Sequence, residues 1–181
     1  MLETDRLILR RLEDFDADAI YAMRSDAEVM RYIREPQKRR ETEKWIRLVS
    51  SRWEKDKMGF CAVIEKKSEK LIGWCGVWRL AETGEVEIGY AIAKKFWNQG
   101  LATEAAKALL EYAFANIKTD RITAVADPEN VSSRRVMEKL GMKFVRIDDF
   151  YERKLAQYAI SLEDFPLRKN EKANAQKNIQ L

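Results

Sequence analysis

A run of ten residues brings a glycine, small side chains and the start of a helix together. The run is Phe96–Ala105, with the sequence FWNQGLATEA. It follows a strand-like segment, Glu85–Ala93, and opens a strongly helical one, Leu101–Asn116. The first backbone amides of a helix have no partner within the helix, and the aligned peptide dipoles place partial positive charge there. Because Gly100 permits close approach of the backbone, the run predicts a seat for a diphosphate.

The usual nucleotide-binding fingerprints are absent from the sequence. Neither GxxxxGK[ST] nor GxGxxG occurs anywhere in the 181 residues. The loop is therefore predicted to hold a phosphate group, but not one of the usual nucleotides.

The absence of histidine limits the chemistry that the chain can perform. With no His in the sequence, imidazole acid–base chemistry, His-based triads and His-metal clusters are excluded. A proton acceptor must be a carboxylate, a Tyr, a Lys, a Cys or a chain of waters. Cys61 and Cys75 lie in apolar strand-like runs, which predicts buried free thiols rather than a disulfide scaffold or a zinc site. We expect no metal.

Hydrophobic periodicity predicts two helices and a four-stranded first half. The predicted strands are Leu7–Arg10, Phe60–Glu65, Leu71–Leu80 and Val86–Ala93, and the predicted helices are Asp14–Arg24, with Asp14 or Asp16 as N-cap, and Glu41–Lys55. An apolar stripe of the second helix is predicted to face the core: Trp45, Ile46, Leu48, Val49 and Trp53. In the last strand the apolar side chains alternate on one face and Glu87 lies on the other.

The second half alternates helices and strands. After the helix Leu101–Asn116 the pattern predicts, in order, a strand at Arg121–Ala126, a helix at Ser132–Leu140 capped by Gly141, and an antiparallel pair, Lys143–Ile147 with Leu155–Leu162. Hairpin-paired strands followed by alternating helices indicate an α+β domain with helices flanking a mixed, mostly antiparallel central sheet. One domain is expected over 1–167, followed by a polar tail, 168–181, that we expect to be disordered.

Charge and hydropathy limit the binding partners and the cellular location that we expect for the protein. The net charge is +4 and both signs are interleaved, which fits an anionic cofactor, ribonucleoprotein surroundings or an ordinary solvated surface. The sequence contains no apolar run long enough to span a bilayer, and the charged start Met1–Arg11 does not fit a signal peptide. We therefore expect a cytoplasmic protein that binds no membrane.

Two motifs in this order resemble the GNAT acetyltransferase superfamily. A pattern like W-x-x-G-x-A-T-E-A is matched by Trp97–Ala105, and D-x-x-N-x-x-S-x-x-x-x-x-K-x-G is matched by Asp127–Gly141. Together with the opening Glu3–Arg10 (ETDRLILR), they are similar to the branch that contains ribosomal-protein N-terminal acetyltransferases. The resemblance spans roughly Met1 to Leu162 and implies a GNAT-like fold. Trp97 departs from the broad pattern, which has Gln or Arg there, so no side-chain cation is expected to help at that position.

The resemblance implies a binding site for acetyl-CoA. Backbone groups of Tyr90, Ala91 and Ile92 would pair with the pantetheine arm like an added strand. The resemblance assigns cofactor binding to the loop Trp97–Thr103, in which the diphosphate would be held by the amides of Asn98, Gln99, Gly100, Leu101, Ala102 and Thr103. Asn130 would bond the pantetheine amides or an intervening water, and Ser133 would protonate the departing thiolate.

Glu87 is the candidate base. It precedes Ile88–Tyr90 on the strand that would carry the cofactor, and a partly desolvated carboxylate there would have a raised pKa. The competing interpretation makes it a solvent-facing strand residue. Asn130 and Ser133 have a competing role too, as the cap and first turn of a helix. The acidic and aromatic stretch Asp148–Glu152 is either an exposed hairpin or the lining of an amine site, with Glu152 as an alternative base.

These observations leave several functions open. The leading hypothesis is acetyl-CoA-dependent N-acetylation by direct attack of a primary amine, either a protein N-terminus or a small amine such as an amino acid, a polyamine or an aminoglycoside. The alternatives are a non-catalytic CoA-binding or interaction module and a ribosome- or RNA-associated protein, although the sequence carries no strong nucleic-acid motif. The resemblance also implies a homodimer.

Overall fold

The computed structural model describes residues 1–166, so the predicted tail, 168–181, and the predicted domain end lie outside the described residues. The strands are β1 (Leu2–Glu3), β2 (Leu7–Arg11), β3 (Gly59–Glu65), β4 (Lys70–Arg79), β5 (Val86–Ile92), β6 (Arg121–Ala126), β7 (Lys143–Phe150) and β8 (Arg153–Ser161). The helices are α1 (Ala17–Arg24), α2 (Ala27–Met30), α3 (Arg39–Asp56), α4 (Leu101–Asn116) and α5 (Val131–Lys139). The α+β prediction is confirmed.

Most predicted elements are present, with differences at their ends. The predicted helix from Asp14 is a 3₁₀ turn, Asp14–Asp16, that leads into α1. Asp16 occupies the N-cap position without capping by its side chain, because its carboxylate binds Arg10 at 2.6 and 2.7 Å instead. The short β1 and α2 were not predicted. Leu48 is a further correction, since it is 53% exposed rather than part of the buried stripe of α3.

One sheet runs through the molecule in the order β1-β2-β3-β4-β5-β6-β8-β7. All neighbours are antiparallel except β5 and β6, which are parallel. These two strands pair only at Val86 with Ile122 and at Glu87 with Thr123. Beyond Glu87 they diverge, so the sheet opens a gap along the rest of β5.

Helices cover both faces of this sheet. On one face, α4 buries Ala105, Leu109 and Phe114 against the sheet, with α5 beside it. On the other face, α1 and α3 bury a second cluster that includes Ile20 and Ile46. The strands therefore have two buried faces, which explains why their central residues are apolar on both sides.

The cysteines lie inside this core, as predicted. Cys61 and Cys75 are buried and free. Burial raises the pKa of the Cys61 thiol to about 12 and that of Cys75 well above its ordinary value, so both thiols stay protonated. Across residues 1–166, no cluster of potential metal ligands occurs, and no helix is both long and apolar enough to cross a membrane.

Candidate active site

The loop before α4 presents backbone amides that have no partner. Asn98 and Gly100 both adopt left-handed conformations, with φ of 60° and 76°. Gly100 is the N-cap of α4, and no side chain caps the helix. Within the described chain, no backbone amide from Asn98 to Thr103 donates to a protein acceptor; the first such bond is from Glu104 to Gly100. These donors can hold an anion.

The start of the chain fixes this loop from behind. Arg6 donates to the carbonyl oxygen of Gln99 at 2.9 Å, and its Nε donates to the Glu104 carboxylate at 2.6 Å. Glu104 also accepts hydrogen bonds from the Arg6 amide, at 3.0 Å, and from the Thr4 hydroxyl, at 2.5 Å. Arg6 thus fixes the Gln99 carbonyl while the amides from Asn98 to Thr103 remain unpartnered within the described residues. The opening ETDRLILR is thus part of the loop's support.

The Trp97 side chain has a structural contact in the same loop. Its indole Nε1 donates to the carbonyl oxygen of Ile92 at 2.6 Å, although the residue is 42% exposed. The contact closes the connection between β5 and the loop. It also occupies one of the backbone acceptors on the segment Tyr90–Ile92, which the resemblance assigns to the pantetheine arm.

The gap beside β5 is bordered by the N-terminus of α5. Asn130 is the N-cap of that helix, and its side-chain oxygen accepts from the Ser133 amide at 3.1 Å. The Tyr90 hydroxyl donates to the Ser133 carbonyl oxygen at 3.0 Å and lies 3.2 Å from the Ser133 hydroxyl. Burial raises the pKa of Tyr90. The predicted helix-capping role of Asn130 is confirmed, and two hydroxyl groups lie together on this side of β5.

Glu87 lies on the opposite face of β5 and is 3% exposed. The interpretation of this residue as solvent-facing is therefore wrong. Its carboxylate accepts hydrogen bonds from the Tyr151 hydroxyl and from the Val125 amide across the gap. The Trp78 indole donates to the same Tyr151 hydroxyl at 2.7 Å. Because an indole N–H can only donate, the phenolic proton is directed toward Glu87.

Burial is the main cause of an unusual pKa at Glu87. Desolvation raises the pKa of this carboxyl to about 8, the hydrogen bond from Tyr151 opposes the rise, and the charge of Glu82 adds to it. With this pKa the carboxyl is present in both protonation states at mildly basic pH, and its ionised form is the one that can act as a general base.

Glu87 and Ser133 flank the gap from opposite faces of β5, together with side chains that sequence reasoning missed. Tyr151 lies in the turn of the β7–β8 hairpin, where it and Glu152 both have positive φ, of 52° and 60°. The usual Asn-Gly signal of such a turn is absent, so nothing in the sequence shows that Tyr151 would reach Glu87. The Tyr90 hydroxyl was also missed, since only its backbone was assigned a role.

The acidic side chains before β8 lie on the outside of a hairpin, as one of the two interpretations predicts, whereas Phe150 between them is buried. Asp149 pairs with Lys154 at 2.8 Å and Asp148 pairs with Arg146 at 3.0 Å. Glu152 is exposed at the turn. Among the described residues, the buried carboxylate at the gap is therefore Glu87 of β5, and no carboxylate of the hairpin is buried.

Known proteins share both the sequence and the fold. Residues 6–143 match the acetyltransferase (GNAT) domain family. The uncharacterized N-acetyltransferase YnaD of Bacillus subtilis is 35% identical over 142 residues, which cover 78% of this chain and 82% of that protein. YkkB of the same organism is 30% identical over 165 residues, covering 87% and 93%. A GNAT-family acetyltransferase structure from Bacillus anthracis is 29% identical, with a TM-score of 0.74, and covers 88% of this chain and 97% of its own.

The eight-stranded, mostly antiparallel sheet with helices on both faces agrees with these matches. The resemblance drawn from the two sequence motifs is confirmed. The chain belongs to the GNAT family of N-acetyltransferases.

Proposed function

We propose that the protein transfers an acetyl group from acetyl-CoA to the primary amine of a protein N-terminus, by direct attack of that amine. The observation that carries the proposal is the buried Glu87 carboxyl at a gap in the sheet, with unpartnered amides at the other end of β5. One element thus joins an anion seat to a proton acceptor. A connection that only reversed the chain would need neither the unpartnered amides nor a buried carboxyl nearby.

The residues around the gap fit acetyl-CoA in three respects. The amides from Asn98 to Thr103 would bind its diphosphate, and the backbone groups of Tyr90–Ile92, apart from the Ile92 carbonyl that Trp97 occupies, would pair with its pantetheine amides. Asn130 would reach the same arm directly or through a water. When bound, acetyl-CoA supplies a thioester that is open to attack by an amine. The family uses this cofactor, and a RimL structure of similar fold, 14% identical, contains coenzyme A.

Glu87 would accept the proton of the incoming ammonium group, directly or through a water. Its pKa of about 8 lies close to that of a peptide α-amino group, so little free energy separates the two protonation states. Tyr151 and Trp78 are positioning residues in this scheme, because they fix the orientation of the carboxylate. A backbone amide of β5 would stabilise the developing oxyanion.

Ser133 would return a proton to the sulfur when the carbon–sulfur bond breaks and the carbon–nitrogen bond forms. The Tyr90 hydroxyl, 3.2 Å away, would pass its proton to Ser133 and take one back from solvent, which leaves both hydroxyls neutral after the transfer. Both hydroxyls lie on the face opposite Glu87. The proton taken from the amine and the proton given to the sulfur would thus travel on separate sides of β5.

The first test is acetyl-CoA-dependent thiol release across a panel of amines. The panel contains N-terminal peptides of ribosomal proteins, amino acids, polyamines and aminoglycosides. We expect release with the peptides, an added acetyl mass on their α-amino group, and near loss of release in Glu87→Gln with unchanged acetyl-CoA binding. Release with small amines alone would overturn the acceptor assignment. Saturable acetyl-CoA binding without release to any amine would favour the non-catalytic alternative.

A further inference from the structure

A buried arginine on the Glu87 face of the sheet has no hydrogen-bond partner. Arg24 ends α1 and is only 4% exposed. Its Nε atom is buried and unpartnered, and the guanidinium group makes no hydrogen bond or ion pair with any residue in 1–166. A buried charge of this kind lowers stability unless something compensates it.

Aromatic rings cover the faces of this guanidinium group but not its edges. Its central carbon lies 4.2 Å from the ring centre of Trp45 and 5.9 Å from that of Trp74. Cation–π contacts of this kind use the faces of the planar group. Its N–H groups point outward in the plane, and that edge is the part of arginine that binds a carboxylate through two parallel hydrogen bonds.

The charges around Arg24 favour an anion rather than an internal ion pair. Arg34, an exposed residue of the connection between α2 and α3, adds a second positive charge and depresses the pKa of Arg24 further, after burial. The nearest acidic influence is Glu41, whose carboxylate is engaged in capping α3 through the Lys38 amide at 2.6 Å. Arg24 thus experiences a second positive charge from Arg34 and makes no ion pair with Glu41.

A surface of half-buried aromatic rings leads from Arg24 to Glu87. Trp45 packs against Phe60 with ring centres 5.1 Å apart, and Phe60 stacks on Trp78 at 4.6 Å. Trp78 contacts Tyr151, the partner of Glu87. This aromatic wall, Trp45–Phe60–Trp78, lies close against the sheet because Gly89 leaves space for the Trp78 ring, which a Cβ there would meet at 2.5 Å.

The register of the sheet gives the length of this wall. Trp74 lies opposite Ala91, and Trp78 lies opposite Glu87. Four residues along a strand span about 13 Å, which is the length of sheet between Trp74, against which Arg24 packs, and Trp78, which lies beside Glu87. A free amino acid carries its amine and carboxylate much closer together than that. An extended peptide spans about 3.3–3.6 Å per residue, so its third or fourth side chain would reach Arg24 while its α-amine is at Glu87.

We propose that Arg24 binds an acidic side chain at the third or fourth position of the acceptor peptide, whose N-terminal amine lies at Glu87. This inference rests on the proposed function and names its substrate class: N-terminal peptides with an early Asp or Glu. The aromatic wall would contact the residues between the two charged ends. Polyamines, which carry only positive charge, would be repelled from this site.

The test crosses two enzymes with two peptides. The peptides differ only by Asp or Asn at the third position, with a second pair at the fourth, and the enzymes are the unaltered protein and Arg24→Met. We expect the unaltered protein to prefer an acidic peptide in kcat/KM by roughly ten- to a hundredfold. Arg24→Met would lose that preference while its kcat/KM for the Asn peptides stays within about twofold. Arg24→Lys would keep part of the preference.

Thermal unfolding separates recognition from a structural role. Removing a buried charge whose Nε has no hydrogen-bond partner should leave the Tm of Arg24→Met unchanged or raise it. Arg11→Met is the matched control, because Arg11 also lies over a tryptophan, Trp53, at 6.0 Å and is exposed. This control should keep the preference for the acidic peptide.

Two outcomes would overturn the inference without touching the proposed function. The first is peptide acetylation by the unaltered protein with no preference for Asp over Asn at either position. The second is a lower Tm in Arg24→Met together with an equal loss toward both peptides of a pair. Absence of transfer to any peptide, with acetyl-CoA still bound, would instead reject the proposed function and this inference with it.

Discussion

The two candidate ligand-binding regions beside β5, the loop before α4 and the surroundings of Glu87, present different kinds of chemical group. On the side of the loop, the groups offered to a ligand are backbone amides of consecutive residues, from Asn98 to Thr103. On the side of Glu87, they are side chains from strands and turns far apart in the sequence, including Trp78 and Tyr151. An anion seat of backbone groups depends on local conformation, whereas a tuned carboxylate depends on how distant segments pack.

The largest effect should follow from neutralising Glu87. Glu87→Gln keeps the size of the side chain but cannot accept the ammonium proton, so we expect kcat to fall by about 10²–10⁴-fold with acetyl-CoA affinity unchanged. Steady-state kinetics and calorimetry measure the two quantities. Glu111→Gln, at an exposed position of α4, is the control and should match the unaltered protein. A parallel loss of acetyl-CoA affinity in Glu87→Gln would show that the two sides of β5 are not separable.

A change in the loop before α4 should instead lower the affinity for acetyl-CoA. Gly100 has φ of 76°, and a Cβ there would meet only Arg6 Nη2, at 3.6 Å, so Gly100→Ala is strained by its backbone conformation rather than by a clash. That strain is about 1–2 kcal/mol, and its relief would move the amides out of place. We expect acetyl-CoA affinity to fall by roughly 5- to 30-fold, measured by calorimetry.

A second glycine with positive φ provides the control for this prediction. Gly84 has φ of 72°, and a Cβ there would have no neighbour within 4 Å. Gly84→Ala should therefore lose similar stability while keeping its affinity for acetyl-CoA. Equal affinity in Gly100→Ala and the unaltered protein would remove the loop from cofactor binding.

Tyr151 tests how the packed side sets its own chemistry. Its hydrogen bond lowers the pKa of Glu87, so in Tyr151→Phe that pKa should rise from about 8 by about one unit. The ascending limb of the plot of kcat/KM against pH would move to higher pH. Activity would therefore be reduced at pH 7 and would recover at higher pH. Tyr112→Phe, which loses a hydroxyl bonded to Lys57 on the other side of the sheet, should leave the profile unchanged. A uniform loss at every pH in Tyr151→Phe would contradict the role in tuning.

The buried carboxyl of Glu87 should also make stability depend on pH. The pKa of Glu87 is raised from 4.5 to about 8, so the folded protein holds a proton that the unfolded chain releases. The contribution is fully present below pH 4.5 and is lost as pH rises through about 8. The unfolding free energy of the unaltered protein should thus fall relative to Glu87→Gln over that range, by a few kcal/mol. Denaturant titrations at pH 5 and pH 9 measure it, and a constant difference would contradict the raised pKa.

The same contrast explains what sequence reasoning could recover. The loop Phe96–Ala105 was identified because a glycine, a strand before it and a helix after it are all local signals. Glu87 was identified from its place in an alternating strand, yet its burial and its contact with Tyr151 were not predictable, since they depend on where the β7–β8 hairpin folds over the sheet. Arg24 gave no signal, because a basic residue at a helix C-terminus is ordinarily solvated.

The short pairing of β5 with β6 has a mechanical consequence. With two paired positions between them, the sheet consists of a five-stranded part and a three-stranded part joined by few backbone hydrogen bonds. The links across this seam are largely side chains, such as Glu87 with Tyr151, Tyr90 with Ser133 and Arg153 with the Tyr32 carbonyl. A ligand that pairs with β5 along this gap would link the two parts of the sheet. Amide hydrogen exchange along β5 would then slow on its arrival, and the occupied protein would resist proteolysis as one unit.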